Sequence, residues 1–477
     1  MNLSIIIPLL LYLMFVFALS IYAYYKRQKN SQFTDYFIGN RTMGGFLLAM
    51  TLAATYISAS SFIGGPGAAY KFGLGWVLLA MIQIPTVLLS LGILGKKFAI
   101  LARKYNAITL NDMLYAHYRS RTLVWAASIA IIVAFLGAMT VQFVGGARLL
   151  ESAVGLPYDI GLLIFGIGTV LYTSFGGFRA SILNDAFQGV IMIFGSILLL
   201  TAIIYAGGGI TQLVDSLKQI DPELLSPQGP NHFMDFPFMA SFWVLVCFGV
   251  VGLPHTAVRC MAYKNSKAVH SGIIIGSIVV VIIMFTMHLS GALGRALLPD
   301  LAIPDQVVPN LIIMVLPPIA AGIFLAAPLS AIMSTINAQL LQVSSVIIKD
   351  LFLSMNRTKK YSDKTLTRAS IMITFIFGAL LIIAAWNPPE MIIWLNLLAF
   401  GGLQAVFLWP LVLGLYWKKA NACGALTAMI LGAICYAALA SYDIKIINFH
   451  PIVPSLLLSL IAFLIANPFG KNLHNKD

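Results

Sequence analysis

Leu52-Ala-Ala-Thr-Tyr-Ile-Ser-Ala-Ser-Ser61 lies inside an early apolar segment, and Leu329-Ser-Ala-Ile-Met-Ser-Thr-Ile-Asn337 lies inside a late one. Both bring small residues and hydroxyls to hydrocarbon depth. There an unsatisfied carbonyl or a lone Ser costs several kcal/mol, so such polarity persists only where it faces protein, water or a bound ion. A small hard cation held between two helices accounts for both stretches at once.

The surrounding composition says where these helices are. Of 477 residues, 60% are hydrophobic and 9% charged, against roughly 25% charged in a soluble domain. This is the balance of a polytopic, all-α membrane protein. Apolar stretches long enough to span, about 20 residues each, fall near 3–25, 44–70, 73–95, 122–150, 156–175, 181–207, 237–261, 271–296, 314–348, 367–386, 390–416, 423–441 and 450–467, thirteen in all. The formal charge of +13 follows loop parity and forms no nucleic-acid patch. With the N-terminus outside and the C-terminus cytoplasmic, all of the 29 Lys and Arg except Lys71, Arg148, Lys218, Arg295 and Lys445 fall on the cytoplasmic side, as the positive-inside bias requires. Cys247, Cys260, Cys423 and Cys435 show no CxxC spacing, so neither a disulfide framework nor a metal site is expected. The first segment lacks an A-x-A site and is read as a retained helix.

The segment 208–236, with Pro222, Pro227 and Pro230, divides the chain. One helix (3–25) precedes a block of five spans (44–207); a second block of five (237–416) and two closing helices (423–467) follow. An odd number of spans per block turns the second upside down, as in inverted-repeat secondary transporters, whose first repeat helices are broken at the midplane. Gly64, Gly65 and Pro66 in one block, and Gly252 and Pro254 in the other, are the expected breaks. The alternative is that these small residues only allow tight helix packing.

Ala331, Ser334 and Thr335 are spaced three and four apart and so share a helix face. With carbonyls from an unwound Ala54–Ile57 turn they make a cage of neutral oxygens suited to a monovalent cation. The competing reading of Ser334 and Thr335 is hydroxyls bonded back to their own helix. Asp185 is the acid set clearly within a span, and an intramembrane carboxylate is a functional candidate by default. Cation release, a second cation site and a proton relay are open to it, as is structural pairing with Arg179 or Arg259.

These motifs resemble the sodium:solute symporter family over nearly the whole chain. One signature is met by Gly414-Leu-Tyr-Trp-Lys-Lys419, Gly424, Ala425, Ala428 and Gly432, and the other by Gly176-Gly-Phe178 through Asn184, Asp185 and Gln188. Ala54 to Gly67, Gly252 to Arg259 and Pro388 to Asn396 are similar to the branch whose members carry pantothenate. The resemblance implies the leucine-transporter-like fold and sodium as coupling ion with no cofactor. Sodium would be held by backbone oxygens of Ala54, Ile57 and Ala331 and the hydroxyls of Ser334 and Thr335, with Asp185 tied to its release. Proline-carrying relatives have Asp where this chain has Tyr56, so the broken helix presents no fixed anion to a carboxylate solute. Thr55, Tyr56, Ser58, Ser60, Gln142 and Asn396 are the solute-contact candidates, and Arg148 the residue drawing anions from outside.

Two other classes were weighed against a carrier. A channel needs a continuous polar pore, whereas polarity here gathers at one depth. An enzyme or sensor needs attached soluble domains or a catalytic cluster; the longest loop is short, the histidines are scattered, and no obligate protein partner is indicated. Within carriers, the alternative is a sodium symporter for another small carboxylate or neutral solute.

Overall fold

The computed structural model describes residues 3–25, 41, 43–355, 361–442 and 444–471. Part of the charge-parity argument, on Lys26, Arg27, Lys29, Arg357, Lys359, Lys360, Asp443 and Lys476, lies outside the described residues, as does the side chain of Arg179. Among the described residues, 10 helices are long and apolar enough to cross a membrane, or 11 if the bent pair Gly45–Tyr56 and Ser60–Phe72 is one span. Two further apolar helices, Tyr158–Ser174 and Phe236–Gly252, are shorter. Ile129, Val133, Phe194, Ile278 and Ile376 stand more than half exposed on the outer faces, where a lipid environment makes apolar exposure costless.

The interior is built around Ala326–Ser345, a helix of 20 residues in which every side chain is buried. Its polar residues, among them Ser330, Ser334, Thr335 and Gln339, therefore face neighbouring helices and not lipid. The first helix, Leu3–Tyr25, is tied into this core by polar contacts: Tyr12 Oη lies 2.8 Å from Ser330 Oγ, and Asn184 Nδ2 donates to Ser20 Oγ at 3.0 Å.

Both anticipated helix interruptions exist, and one is displaced. Helix Gly45–Tyr56 ends because Ile57 is extended (φ −74°, ψ 120°), and the chain resumes through a wide turn, Ser60–Gly64, into Gly65–Phe72. The two halves are bent by 66°. The break thus lies upstream of Gly64, Gly65 and Pro66, which continue helically. Pro66 follows directly on the wide turn Ser60–Gly64, where the regular helical hydrogen-bond ladder is already interrupted, so its missing N–H is accommodated. In the second block the break is where the sequence places it. Leu253, between Gly252 and Pro254, is extended (φ −88°, ψ 117°), because a following proline disfavours the helical region. A third kink, at Gly177 (φ 66°, ψ −171°), divides the helical run Tyr158–Ala206.

One backbone approach fixes the broken helix in place. A Cβ on Gly291 would lie 2.2 Å from the Pro66 carbonyl oxygen, so helix Ser266–Leu297 touches the second half of the broken helix, Gly65–Phe72, backbone to backbone. Gly291→Val is expected to lower the thermal transition of the detergent-purified protein, at an overpacking cost of about 1–3 kcal/mol or more. Gly92, with nothing within 4 Å of its Cβ position, should accept Ala unchanged.

Candidate functional site

Ile57 being extended leaves carbonyls of the preceding turn without helical donors, and Ala326–Ser345 supplies the groups that meet them. Ser334 Oγ lies 2.7 Å from the Ala54 carbonyl oxygen and 3.0 Å from that of Ala331. Thr335 Oγ1 lies 3.2 Å from the Ile57 oxygen, 3.3 Å from that of Thr55 and 3.1 Å from that of Ala331. Ala54, Ile57, Ala331, Ser334 and Thr335 are all 0% exposed. Each hydroxyl has a single proton, so it satisfies one of these carbonyls at a time and leaves the other oxygens facing oxygen. A cation at the centre would satisfy all of them, and a neutral set of carbonyls and hydroxyls matches a hard monovalent ion.

Asp185 sits in a separate buried network. Its Oδ2 accepts from Thr51 Oγ1 at 2.5 Å and pairs with Arg259 Nη2 at 3.1 Å, while Arg259 Nε donates to Thr51 Oγ1 at 2.9 Å. Asp185 and Arg259 are 0% and 2% exposed, and Asp185 Oδ1 has no hydrogen-bond partner. Of the alternatives open from sequence, pairing with Arg259 is the contact present. Thr51 links it to the helix that also carries Ala54.

Beside the break lies a cavity of about 40 Å³ whose lining includes Tyr56, Ser60, Trp76, Gln83, Asn396 and Gln404. No carboxylate, Lys or Arg lines it. Tyr56 Oη donates within reach of Gln83 Oε1 (2.7 Å) and the Val246 carbonyl (3.0 Å). Asn396 Nδ2 donates to Ser60 Oγ at 3.0 Å, and Ser60 Oγ lies 2.8 Å from Ser58 Oγ. Asn396 Oδ1 and Gln404 Oε1 are buried without partners. An aromatic cluster abuts the cavity: Phe72 and Phe233 stack at 4.1 Å and 7°, and Trp394 meets both Phe72 and Trp76 edge-on.

The remaining solute candidates are placed elsewhere. Thr55 Oγ1 donates to the Thr51 carbonyl of its own helix at 2.6 Å. Gln142 Oε1 accepts from Ala59 N–H at 2.8 Å, which steadies the broken segment from behind. Arg148 donates to the Pro389 carbonyl at 3.2 Å and lies 3.8 Å from Glu151, which Gln306 of the 298–306 loop reaches at 3.3 Å. There Asp305 accepts from the Ile392 amide at 2.8 Å. Burial pushes the Asp305 carboxyl up to about 6, against the pull of that amide and of Arg148. The sequence reading missed Trp76, Gln83 and Asp305. An aromatic and a glutamine within apolar spans carry little signal, and Asp305 gains its importance from a contact made only in the fold.

Comparison with known proteins identifies the family and the fold. The model of the sodium:solute symporter family matches residues 36–432. The chain is 66% identical to a sodium/pantothenate symporter of Escherichia coli (strain K12) over 470 residues, covering 98% of this chain and 97% of the relative. It is 60% identical to a sodium/pantothenate symporter of Haemophilus influenzae, covering 99% and 97%. In three dimensions it resembles a Na+-coupled sialic acid symporter in a substrate-bound outward-open state, with a TM-score of 0.81 at 19% identity over 99% of both chains. A nucleobase-cation-symport-1 family transporter in a closed conformation gives a TM-score of 0.55 at 15% identity, covering 93% and 97%. The fold is that of the leucine-transporter-like carriers, and the chain belongs to the sodium:solute symporter family.

Proposed function

We propose that the protein imports pantothenate together with sodium, by alternating access, as a secondary active symporter of the bacterial inner membrane. The observation that carries this reading is the convergence of the Ala54, Ile57 and Ala331 carbonyls with the Ser334 and Thr335 hydroxyls, next to a polar cavity free of fixed charge. Sodium joining those oxygens would bind the broken helix to Ala326–Ser345 and so lower the ordering cost of solute binding, which is thermodynamic coupling. The near-complete coverage and high identity to sodium/pantothenate symporters support the choice of solute.

The cavity belongs to a closed state. A water needs about 10–15 Å³ of such space, so about 40 Å³ holds a few waters and not a solute with a carboxylate, an amide and two hydroxyls. Entry would require the Phe72–Phe233 stack to part. Tyr56, Ser60 and Asn396 line the cavity and are the proposed solute contacts, with Trp76, Gln83 and Gln404 added. Ser58 would act through Ser60. Tyr158–Ser174 and Phe236–Gly252 would complete thirteen spans, with 44–207 and 237–416 as inverted repeats. Each of those blocks opens on a helix broken by an extended residue, Ile57 or Leu253. The basic loops put the N-terminus outside and the C-terminus in the cytoplasm.

Coupling strength depends on stoichiometry. A tenfold sodium gradient supplies about 1.4 kcal/mol, and each net charge moved adds about 2.3 kcal/mol per 100 mV. One sodium per pantothenate anion moves no net charge and draws nothing from membrane potential.

Proteoliposomes holding the purified chain should accumulate labelled pantothenate when a sodium gradient is imposed. Uptake that is equal in choline, or that proline or a monocarboxylate competes away more effectively, would overturn the reading. Ser334→Ala and Thr335→Ala should each raise the sodium concentration for half-maximal uptake several-fold at unchanged expression, about 1 kcal/mol of lost ion binding; an unchanged sodium dependence in both removes the ion-site assignment. Asp185→Asn leaves Arg259 as an uncompensated buried charge. It should cut maximal uptake by about tenfold while shifting half-saturating sodium far less, and wild-type turnover would make the pair purely structural.

A further inference from the structure

A second set of oxygen ligands lies away from both the cation cage and the solute cavity. The short helix Leu110–Tyr118 begins at Thr109, whose side chain caps the Asp112 amide while the Asp112 carboxylate accepts back from the Thr109 and Ile108 amides. Asp112 also pairs with Lys349. Lys349 and Asp350 lie in a wide-turn segment, Val346–Leu353, at the end of the buried central helix. In a regular α-helix adjacent side chains diverge by about 100°; the extra residue per turn of this segment, a feature frequent at functional sites, lets both neighbours address the same short helix. Asp350 Oδ1 accordingly accepts from Thr109 Oγ1 at 2.9 Å.

The pairing leaves one charge without a partner. Asp350 is 5% exposed and its Oδ2 has no hydrogen-bond partner. Asn111 is 1% exposed; its Nδ2 donates to Ser128 Oγ at 2.9 Å and lies near enough to Asp350 to favour the ionised carboxylate, while its Oδ1 has no hydrogen-bond partner. Both residues line one cavity of about 250 Å³, together with Asp112, Lys349 and Ser354, and with Arg121, which is exposed. A buried carboxylate without a counter-charge costs several kcal/mol. Lys349 already answers Asp112, and an exposed guanidinium is screened by solvent. The cavity therefore presents one uncompensated carboxylate oxygen and one amide oxygen in a space large enough for an ion that keeps part of its water shell.

We infer that this cavity is a binding site for a monovalent alkali cation, held by the Asp350 carboxylate and the Asn111 amide oxygen and entered from the face that carries the basic loops. One net negative charge with Lys349 close by suits a monovalent ion; divalent ions are held by more carboxylates and demand fuller coordination. The ligands come from opposite blocks of the chain, Asn111 from 44–207 and Asp350 from 237–416, so the ion holds the two together at that face. This assignment does not rest on which solute is carried.

The test is equilibrium binding of radiolabelled sodium, and separately of radiolabelled rubidium as a stand-in for potassium, to the full-length protein in lipid nanodiscs without solute. Asp350→Asn should lose one equivalent of bound ion, and the isotope affected identifies the occupant. The pair Ser334→Ala with Thr335→Ala should remove a different equivalent, so that the combined variant loses both. Asn111→Leu should raise the half-saturating ion concentration by about tenfold or more, and it carries the test alone if Asp350→Asn does not yield monodisperse protein. Asp350→Glu should restore binding, which a merely structural role would not demand. Unchanged binding of both ions in Asp350→Asn, or in Asn111→Leu where the first variant is unusable, overturns the proposal and leaves the carboxylate protonated.

Discussion

Hydrocarbon offers backbone carbonyls no hydrogen-bond partners, and this chain places several of them at the middle of its fold by straightening the backbone at Ile57. Everything near the site answers that single debt. Ala326–Ser345 is buried on all sides because it must bring Ser334 and Thr335 against the Ala54 and Ile57 oxygens. Gln142 reaches the Ala59 amide, two residues beyond Ile57. The result is a polar seam enclosed by apolar packing, in which two hydroxyl protons are shared among more acceptors than they can satisfy.

The seam and the cavity lined by Tyr56, Ser60 and Asn396 are neighbours by construction. Tyr56 precedes the extended residue and points into the cavity, where its hydroxyl meets Gln83 and the Val246 carbonyl; the carbonyls of the same turn face the opposite way, toward Ser334 and Thr335. One interrupted turn thus contributes to the oxygen cage on one side and to the cavity on the other. Asp185 enters the arrangement at one remove, through Thr51 on the same helix and through Arg259 just beyond the second break.

How much of this was legible beforehand follows from which signals are local. Ser334 and Thr335 could be found because helical spacing sets them on one face with Ala331, and Leu253 could be located because proline constrains the residue before it. The turn Ala54–Ile57 is expected to unwind because its carbonyls sit opposite Ser334 and Thr335, but nothing in an isoleucine says that Ile57 is the one extended residue; Gly64, Gly65 and Pro66, also expected as breaks, continue helically through the wide turn Ser60–Gly64. Thr55 and Gln142 were reasonable solute contacts by depth, but depth does not give direction. One donates back along its own helix and the other braces the break. Arg148 pairs with Glu151 three residues on in its own helix, a spacing visible in sequence, and with the Pro389 carbonyl, a partner that only the fold supplies. Asp350 and Asn111 have no pattern in sequence at all, because their juxtaposition depends on a widened helical turn.

The contact between Gly291 and the Pro66 carbonyl bears on which parts can travel. Gly272 and Gly276 on the same helix face Leu48 and Ala49 of the first half, where a Cβ would lie 3.0 Å from Leu48 Cδ2 and 3.7 Å from Ala49 Cα, so both halves of the interrupted helix pack against Ser266–Leu297. Were that unit to tilt as one body, it would slip along the plane crossed by Ser334 and Thr335. An ion bound among those oxygens would then act as a brake on the swing.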